Sequence, residues 1–243
     1  MRLRRDLRFL FCALKTRFVT HRPIFLSHMI TSQCDCRCVT CYYWTLGKRD
    51  EMTTAEICQM LSDAQSIGMT DYVIWGGEPL LRKDIFEIAE YANSIGLDVT
   101  VITNGSMLPR KIDELAENLY GLIVSIDHPD PEKHDELRRH PGIYRKAMQG
   151  IKRAKKYQNL NVFINCVISK ANIDQLERMV QLADGLDVKI AFEMMEVVKG
   201  YNEHLMLSRE ETARACETLI RLKKEGYPIA NSIGYFRTVA EKR

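Results

Sequence analysis

Short β-branched and aromatic runs alternate with longer stretches of helical period along most of this chain. Strand character falls at 25–31, 72–75, 98–102, 122–126, 162–168 and 188–192, in runs of the length and composition that suit buried strands. Between them, apolar residues recur at three- and four-residue intervals over 54–67, 83–95, 109–118, 143–157, 173–183 and 208–225, which predicts helices. The flanking residues agree. Thr53-Thr54-Ala55-Glu56 and Ser208-Arg209-Glu210-Glu211 have the S/T-x-x-E form of a capping box, and Gly68 and Gly96 stand where a left-handed residue ends a helix. Alternation of this kind predicts a parallel sheet. Six βα units are too few for a closed eight-stranded barrel, so the expected fold is α/β, an open (β/α)6 partial TIM barrel whose ligands gather at the C-terminal strand ends.

The first 22 residues follow a different pattern. Leu3, Leu7, Leu10, Leu14 and Phe18 form one stripe, with Arg4, Arg8 and Lys15 outside it, which predicts a basic amphipathic helix over 1–22. Its apolar centre, 9–14, is too short to span a bilayer. Such a helix can lie on an anionic lipid surface as a peripheral contact, or pack against the barrel or a partner domain. Three parts are therefore expected: the helix 1–22, a core domain 23–227, and a tail 228–243 that resembles the beginning of a further extension.

Composition sharpens this picture in two respects. With 243 residues, 46% apolar and 28% charged, the chain has enough material for one globular core. Its net charge of +3 is unevenly placed, because residues 1–22 carry seven basic side chains against Asp6. The remainder is weakly acidic, so no nucleic-acid-binding surface is expected.

Of eight cysteines, four fall in the stretch Cys34-Asp35-Cys36-Arg37-Cys38-Val39-Thr40-Cys41, directly after the first strand. No secretory signal pattern precedes them, which argues against a disulfide framework. A structural zinc site on Cys34, Cys36, Cys38 and Cys41 is an alternative, although zinc sites usually join two separated ligand pairs. Spaced x3 and then x2, the thiolates of Cys34, Cys38 and Cys41 can hold three irons of a cubane cluster and leave the fourth open. Cys36 then lies within the spacer as a non-ligand. Cys12, Cys58, Cys166 and Cys216 are isolated and read as small buried hydrophobes.

One βα unit later, Gly76-Gly77-Glu78-Pro79 follows the second strand. Two residues without side chains admit a ligand close to the backbone, and a carboxylate beside them can accept from an ammonium group. The cysteine loop followed at this interval by the Gly-Gly-Glu-Pro turn resembles the radical S-adenosylmethionine (radical SAM) superfamily, over roughly residues 24–225. The likeness extends to members that carry a SPASM-type C-terminal extension.

That resemblance implies a [4Fe-4S] cluster on Cys34, Cys38 and Cys41, with S-adenosyl-L-methionine (SAM) chelating the open iron. Gly76, Gly77, Glu78 and Pro79 would hold its amino group, Asn104 of Thr103-Asn104-Gly105 would border it, and Ser125 and Arg138 would contact it. His134 and Asp135 are expected to order the loop that carries Arg138, and Val167 to offer an apolar wall for adenine. Thr40 departs from the pattern, since the residue before the last cysteine is often aromatic in the superfamily. The resemblance further implies a radical SAM enzyme in a reducing cytoplasm, with a flavodoxin- or ferredoxin-type one-electron donor. The substrate would be a peptide in a maturation pathway, or a lipid or isoprenoid if the first helix brings the protein to a membrane surface. A non-catalytic iron-sulfur or zinc scaffold, or an electron-transfer protein with Cys36 as fourth ligand, are the competing readings.

Overall fold

The computed structural model describes residues 23–47 and 49–242, together with Leu14. Six parallel strands, β1 (Phe25–Thr31), β2 (Asp71–Gly76), β3 (Asp98–Thr103), β4 (Gly121–Ser125), β5 (Asn161–Ile168) and β6 (Lys189–Met194), lie side by side in chain order. Each strand pairs with the next in sequence, and parallel crossovers share one hand, so the helices collect on one face and the sheet curls away from them. The result is the expected open six-stranded partial barrel, with β1 and β6 as its two edges.

Alternation along the strands divides the side chains between two environments. Ile30, Tyr72, Ile74, Val99, Val101, Leu122, Val124, Ile164, Cys166, Ile190 and Phe192 are buried beneath the helices. Their neighbours Ser27, Trp75, Ile102, Ile123, Ser125, Phe163, Asn165, Ala191 and Glu193 line the concave side. Because the strands are parallel, every strand exit opens at the same end of this lumen.

The helices are α1 (Thr54–Ser66), α2 (Ile85–Ser94), α3 (Leu108–Leu115), α4 (Pro131–Arg138), α5 (Ile143–Ala154), α6 (Leu176–Gly185), α7 (Arg209–Lys224) and α8 (Ile233–Lys242). Both predicted capping boxes form, Thr53 with Glu56 and Ser208 with Glu211. Two helices depart from the sequence reading. The stretch holding His134 and Arg138, expected as a loop, is α4, opened by Pro131 and capped by Asp130, whose carboxylate accepts from the amides of Glu132 and Lys133 at 3.0 Å each. Two turns rich in charge carry no apolar period to reveal them. Beyond α7, Ile229 pairs with Ile190 on the outer edge of β6, and α8 packs against α7 with Phe236 buried.

The predicted helix over 1–22 lies outside the described residues, apart from Leu14. No described helix is long and apolar enough to cross a membrane.

Phe192, fully buried on β6, is among the largest side chains of the core. Phe192→Ala should lower stability by about 3–5 kcal/mol, read as a fall in the urea midpoint of the metal-free protein.

Candidate functional site

At the C-terminal end of the strands the lumen widens into a cavity of about 410 Å³, lined by Cys34, Cys36, Cys38, Cys41, Gly76, Gly77, Asn104, Ser125 and Arg138 together with the upper lumen residues. Four strand exits thus deliver the predicted metal and cofactor residues to one place. A larger cavity of about 720 Å³ opens at the opposite end, between Tyr120, Lys155 and Asp187, and contains none of these groups.

The cysteine loop docks on the end of α4. The last carbonyls of a helix lack partners within it, and here those of Leu137 and Arg138 accept from the amides of Val39 (3.0 Å) and Arg37 (3.2 Å). Arg37 also turns back on its own loop, donating through Nη1 to the carbonyls of Cys34 (2.8 Å) and Cys36 (2.9 Å). The side chains of Cys36 and Cys38 pack on Ile143 at the start of α5.

Within this loop the thiols are not equivalent. The amide of Cys36 donates to the Cys34 sulfur at 3.4 Å. Placement between Cys34 and Cys38 raises the Cys36 pKa, while Cys36 lowers that of Cys34 and, with the Arg138 guanidinium, draws Cys38 down to about 7. Burial raises the Cys41 thiol. All four thiols line the same cavity.

The Gly76-Gly77 step is dictated first by the backbone beside it. Gly77 donates to the Thr31 carbonyl (2.8 Å) and Glu78 to that of Gln33 (2.7 Å), extending the β1–β2 pairing into the root of the cysteine loop. Gly76 has φ +154°, and a Cβ on it would sit 2.5 Å from the Thr31 oxygen; on Gly77 it would sit 2.1 Å from the Gln33 oxygen. Only glycine fits either position, and both still face the cavity.

Glu78 corrects an expectation. Its carboxylate is fully buried and engaged by three protein donors: the amide of Leu80 (2.9 Å), the hydroxyl of Thr103 (2.8 Å) and the amide of Asn104 (2.7 Å). Pro79 opens a short 3₁₀ turn behind the wall. An ammonium group would thus meet the Gly76-Gly77 backbone rather than this carboxylate. Desolvation raises the Glu78 pKa to about 7 despite those three donors.

Asn104 does more than border the cavity. Its Nδ2 donates to Asp35 Oδ1 (2.8 Å) and to the Cys36 sulfur (3.2 Å), tying the exit of β3 to the cysteine loop. Arg138 is buried and paired with Asp127 at 2.7 Å, with Nη1 3.9 Å from the Cys38 sulfur. Its Nε is buried without a partner among the described residues, while other parts of the side chain line the cavity. Asp127, which sequence reasoning left without a role, holds that arginine and also accepts from the Val167 amide (3.0 Å). A carboxylate at a strand end in register with a predicted arginine was the available signal. His134 orders the turn as expected, its Nδ1 accepting from the Asp127 amide at 3.1 Å. Val167 does not line the cavity, and Trp75, which was not singled out, does.

A thiol-rich, half-enclosed donor set beside glycine backbone and a guanidinium suits an iron-sulfur cluster with a zwitterionic ligand. The closest grouping of metal-ligating atoms is Cys34, Asp35 and Cys36, within 4.8 Å of one another. Cys38 and Cys41 lie outside that grouping and line the same cavity.

The family model described as Radical SAM superfamily matches residues 29–183. An AdoMet-dependent heme synthase of Methanosarcina barkeri is 34% identical over 172 residues, 69% of this chain and 49% of that protein. A GTP 3',8-cyclase of Marinobacter nauticus is 29% identical over 221 residues, covering 86% of this chain and 66% of the cyclase. The chain thus spans about half to two thirds of the length of these relatives. Among solved structures, Streptococcus suis SuiB bound to S-adenosylmethionine superposes with a TM-score of 0.75 at 18% identity, covering 92% of this chain and 53% of SuiB.

Two outcomes follow from the glycine step and the buried carboxylate. Gly77→Ala should cost roughly 1–3 kcal/mol of stability, because the Gln33 backbone has to move; urea unfolding reads it. For Glu78, the folded state keeps the proton up to about pH 7 against 4.5 for the free group. Stability attributable to it is complete below pH 4.5 and is lost as the pH rises through 7, by an amount on the order of 3 kcal/mol. Glu78→Gln cannot titrate, so the difference in unfolding free energy between the two proteins should change across that window and level off above it.

Proposed function

The chain belongs to the radical SAM superfamily, and on that premise we propose that it is a radical SAM enzyme with a [4Fe-4S] cluster on Cys34, Cys38 and Cys41. Members of this family bind such a cluster and SAM. The observation that carries the reading is the convergence of these three thiols, the Gly76-Gly77 step and the Arg138 side chain on one cavity. When bound, the cluster and SAM supply a 5′-deoxyadenosyl radical, able to remove hydrogen from an unactivated C–H bond.

The residues divide the work of holding and orienting. The thiolates of Cys34, Cys38 and Cys41 would bind iron, and Cys36, whose amide donates to the Cys34 sulfur and whose own sulfur accepts from Asn104, would stay outside the ligand set. Close approach at Gly76 and Gly77 would let the backbone receive the ammonium of SAM. Arg138, fixed by Asp127, would place its positive charge beside the SAM carboxylate. Ser125 and Asn104 add polar contacts at the same rim, and Glu78 and Pro79 act from behind by fixing the Gly-Gly step and Asn104. Ile102, Ile123, Phe163 and Ala191 make the lower wall apolar, which excludes competing water.

The lumen also bears on the substrate. Asn165 donates to Glu193 at 3.3 Å on its wall. An isoprenoid would leave the remaining hydrogen-bonding capacity of this pair unused, whereas a peptide side chain or polar small molecule can engage it. We therefore favour a substrate with a hydrogen-bond donor or cationic group beside the C–H bond attacked. SuiB bound to its precursor peptide SuiA has the same fold, in keeping with a peptide, and Ser125 with Arg138 supports the likeness to SPASM-bearing members. A flavodoxin- or ferredoxin-type protein would supply the electron.

Anaerobic reconstitution with iron and sulfide, followed by reduction in the presence of SAM, should yield cluster-bound iron and 5′-deoxyadenosine. Cys34→Ala, Cys38→Ala and Cys41→Ala should each abolish cluster assembly, and Cys36→Ala should leave it nearly intact. Zinc in place of iron, or a stable cluster with no SAM cleavage, would overturn the assignment. Loss of the cluster in Cys36→Ala would favour an electron-transfer protein with four thiolate ligands.

A further inference from the structure

The cysteine loop has a second anchor, which arrives from the far edge of the sheet. Tyr201, in the loop that follows β6, shares its one hydroxyl proton between the carbonyls of Cys38 (3.0 Å) and Cys41 (3.1 Å), and accepts from Trp44 Nε1 (3.1 Å). Its neighbour Asn202 is fully buried. Asn202 Nδ2 donates to the Thr40 carbonyl (3.1 Å) and to that of Glu196 (2.9 Å), and its Oδ1 accepts from the Val198 amide (2.7 Å). Every polar atom of both side chains therefore has a partner.

These contacts answer a definite need. A loop that turns its thiols inward belongs to no helix or sheet, and its carbonyls must find donors elsewhere. Arg37 serves those of Cys34 and Cys36 from within the loop. Those of Thr40 and Cys41 depend on residues some 160 positions away, and that of Cys38, which also accepts from the Cys41 amide at 3.3 Å, is reached from the same place; together they set the direction of the second and third thiols. The two loops follow β1 and β6, the first and last strands of the sheet. Their hydrogen bonds bridge the gap that an open barrel leaves.

We propose that Tyr201 and Asn202 are positioning residues for the cluster ligands, fixing the backbone so that Cys38 and Cys41 aim into the cavity alongside Cys34. The proposal rests on the cluster reading above. It also links the site to the lumen wall, because Asn202 grips Glu196, which lies three residues beyond Glu193.

Tyr201→Phe removes the hydroxyl and keeps the ring; Asn202→Asp keeps the acceptors and removes the donor. Both variants, checked for folding by circular dichroism, are compared with the full-length wild type in two ways. In the metal-free protein, alkylation by iodoacetamide followed by mass spectrometry should show Cys38 and Cys41 reacting about fivefold faster, the change one net hydrogen bond supports, while Cys58 on α1 reacts as before. In the reconstituted protein, iron should pass to a chelator faster by a similar factor, and the electron paramagnetic resonance spectrum of the reduced cluster should shift. Unchanged alkylation and unchanged spectra in Tyr201→Phe would overturn the proposal. Absence of iron uptake by the wild type would instead overturn the cluster reading, and alkylation would still decide the positioning role.

Discussion

The site depends on a loop that cannot support its own backbone. Between β1 and α1 the chain must present several thiols to one cavity, which leaves its amides and carbonyls without the ladder of a helix or sheet. The fold supplies partners from three directions: the last carbonyls of α4, the Arg37 side chain, and Tyr201 with Asn202 beyond β6. At its root the loop is joined to the Gly76-Gly77 step, where no side chain can intervene. The positions of the thiols are consequences of these attachments.

Two buried charges reinforce them in different ways. Glu78 has no basic partner among its hydrogen-bond donors; its three hydrogen bonds join the exits of β2 and β3, and burial raises its pKa in spite of them. Arg138 and Asp127 neutralise one another, which lets a guanidinium remain beside Cys38 in a place where an isolated charge would be strongly disfavoured. Breaking either arrangement leaves a buried group without compensation, and such losses exceed the net worth of the contacts themselves.

The sheet order explains how so many parts reach one place. Parallel strands in chain order all exit at the same end, and each adjacent loop contributes a different chemical element: thiols, glycine backbone, an amide, a serine and an arginine. The lumen below remains free to vary. A heme synthase, a GTP cyclase and the peptide-bound SuiB are all similar to this chain. One fold can host different chemistries, and in this protein the wall carries Asn165 and Glu193 with Phe163 and the isoleucines.

Much of this was legible in the sequence. The strands from 25–31 to 188–192, the capping boxes and the open parallel sheet follow from periodicity, because local backbone preference and burial on one face write themselves into residue spacing. Cys34, Cys38 and Cys41 and the Gly76-Gly77 turn were visible as neighbours in sequence. Tertiary structure alone decided what those residues do for one another. The engagement of Glu78 by Thr103 and Asn104, the pairing of Arg138 with Asp127 and the grip of Tyr201 and Asn202 on the cysteine loop all join positions far apart in sequence. No local pattern records them. Hydrogen bonds of this kind are set by where strands end in space, and a single polar residue in a loop carries no periodicity to announce its partner.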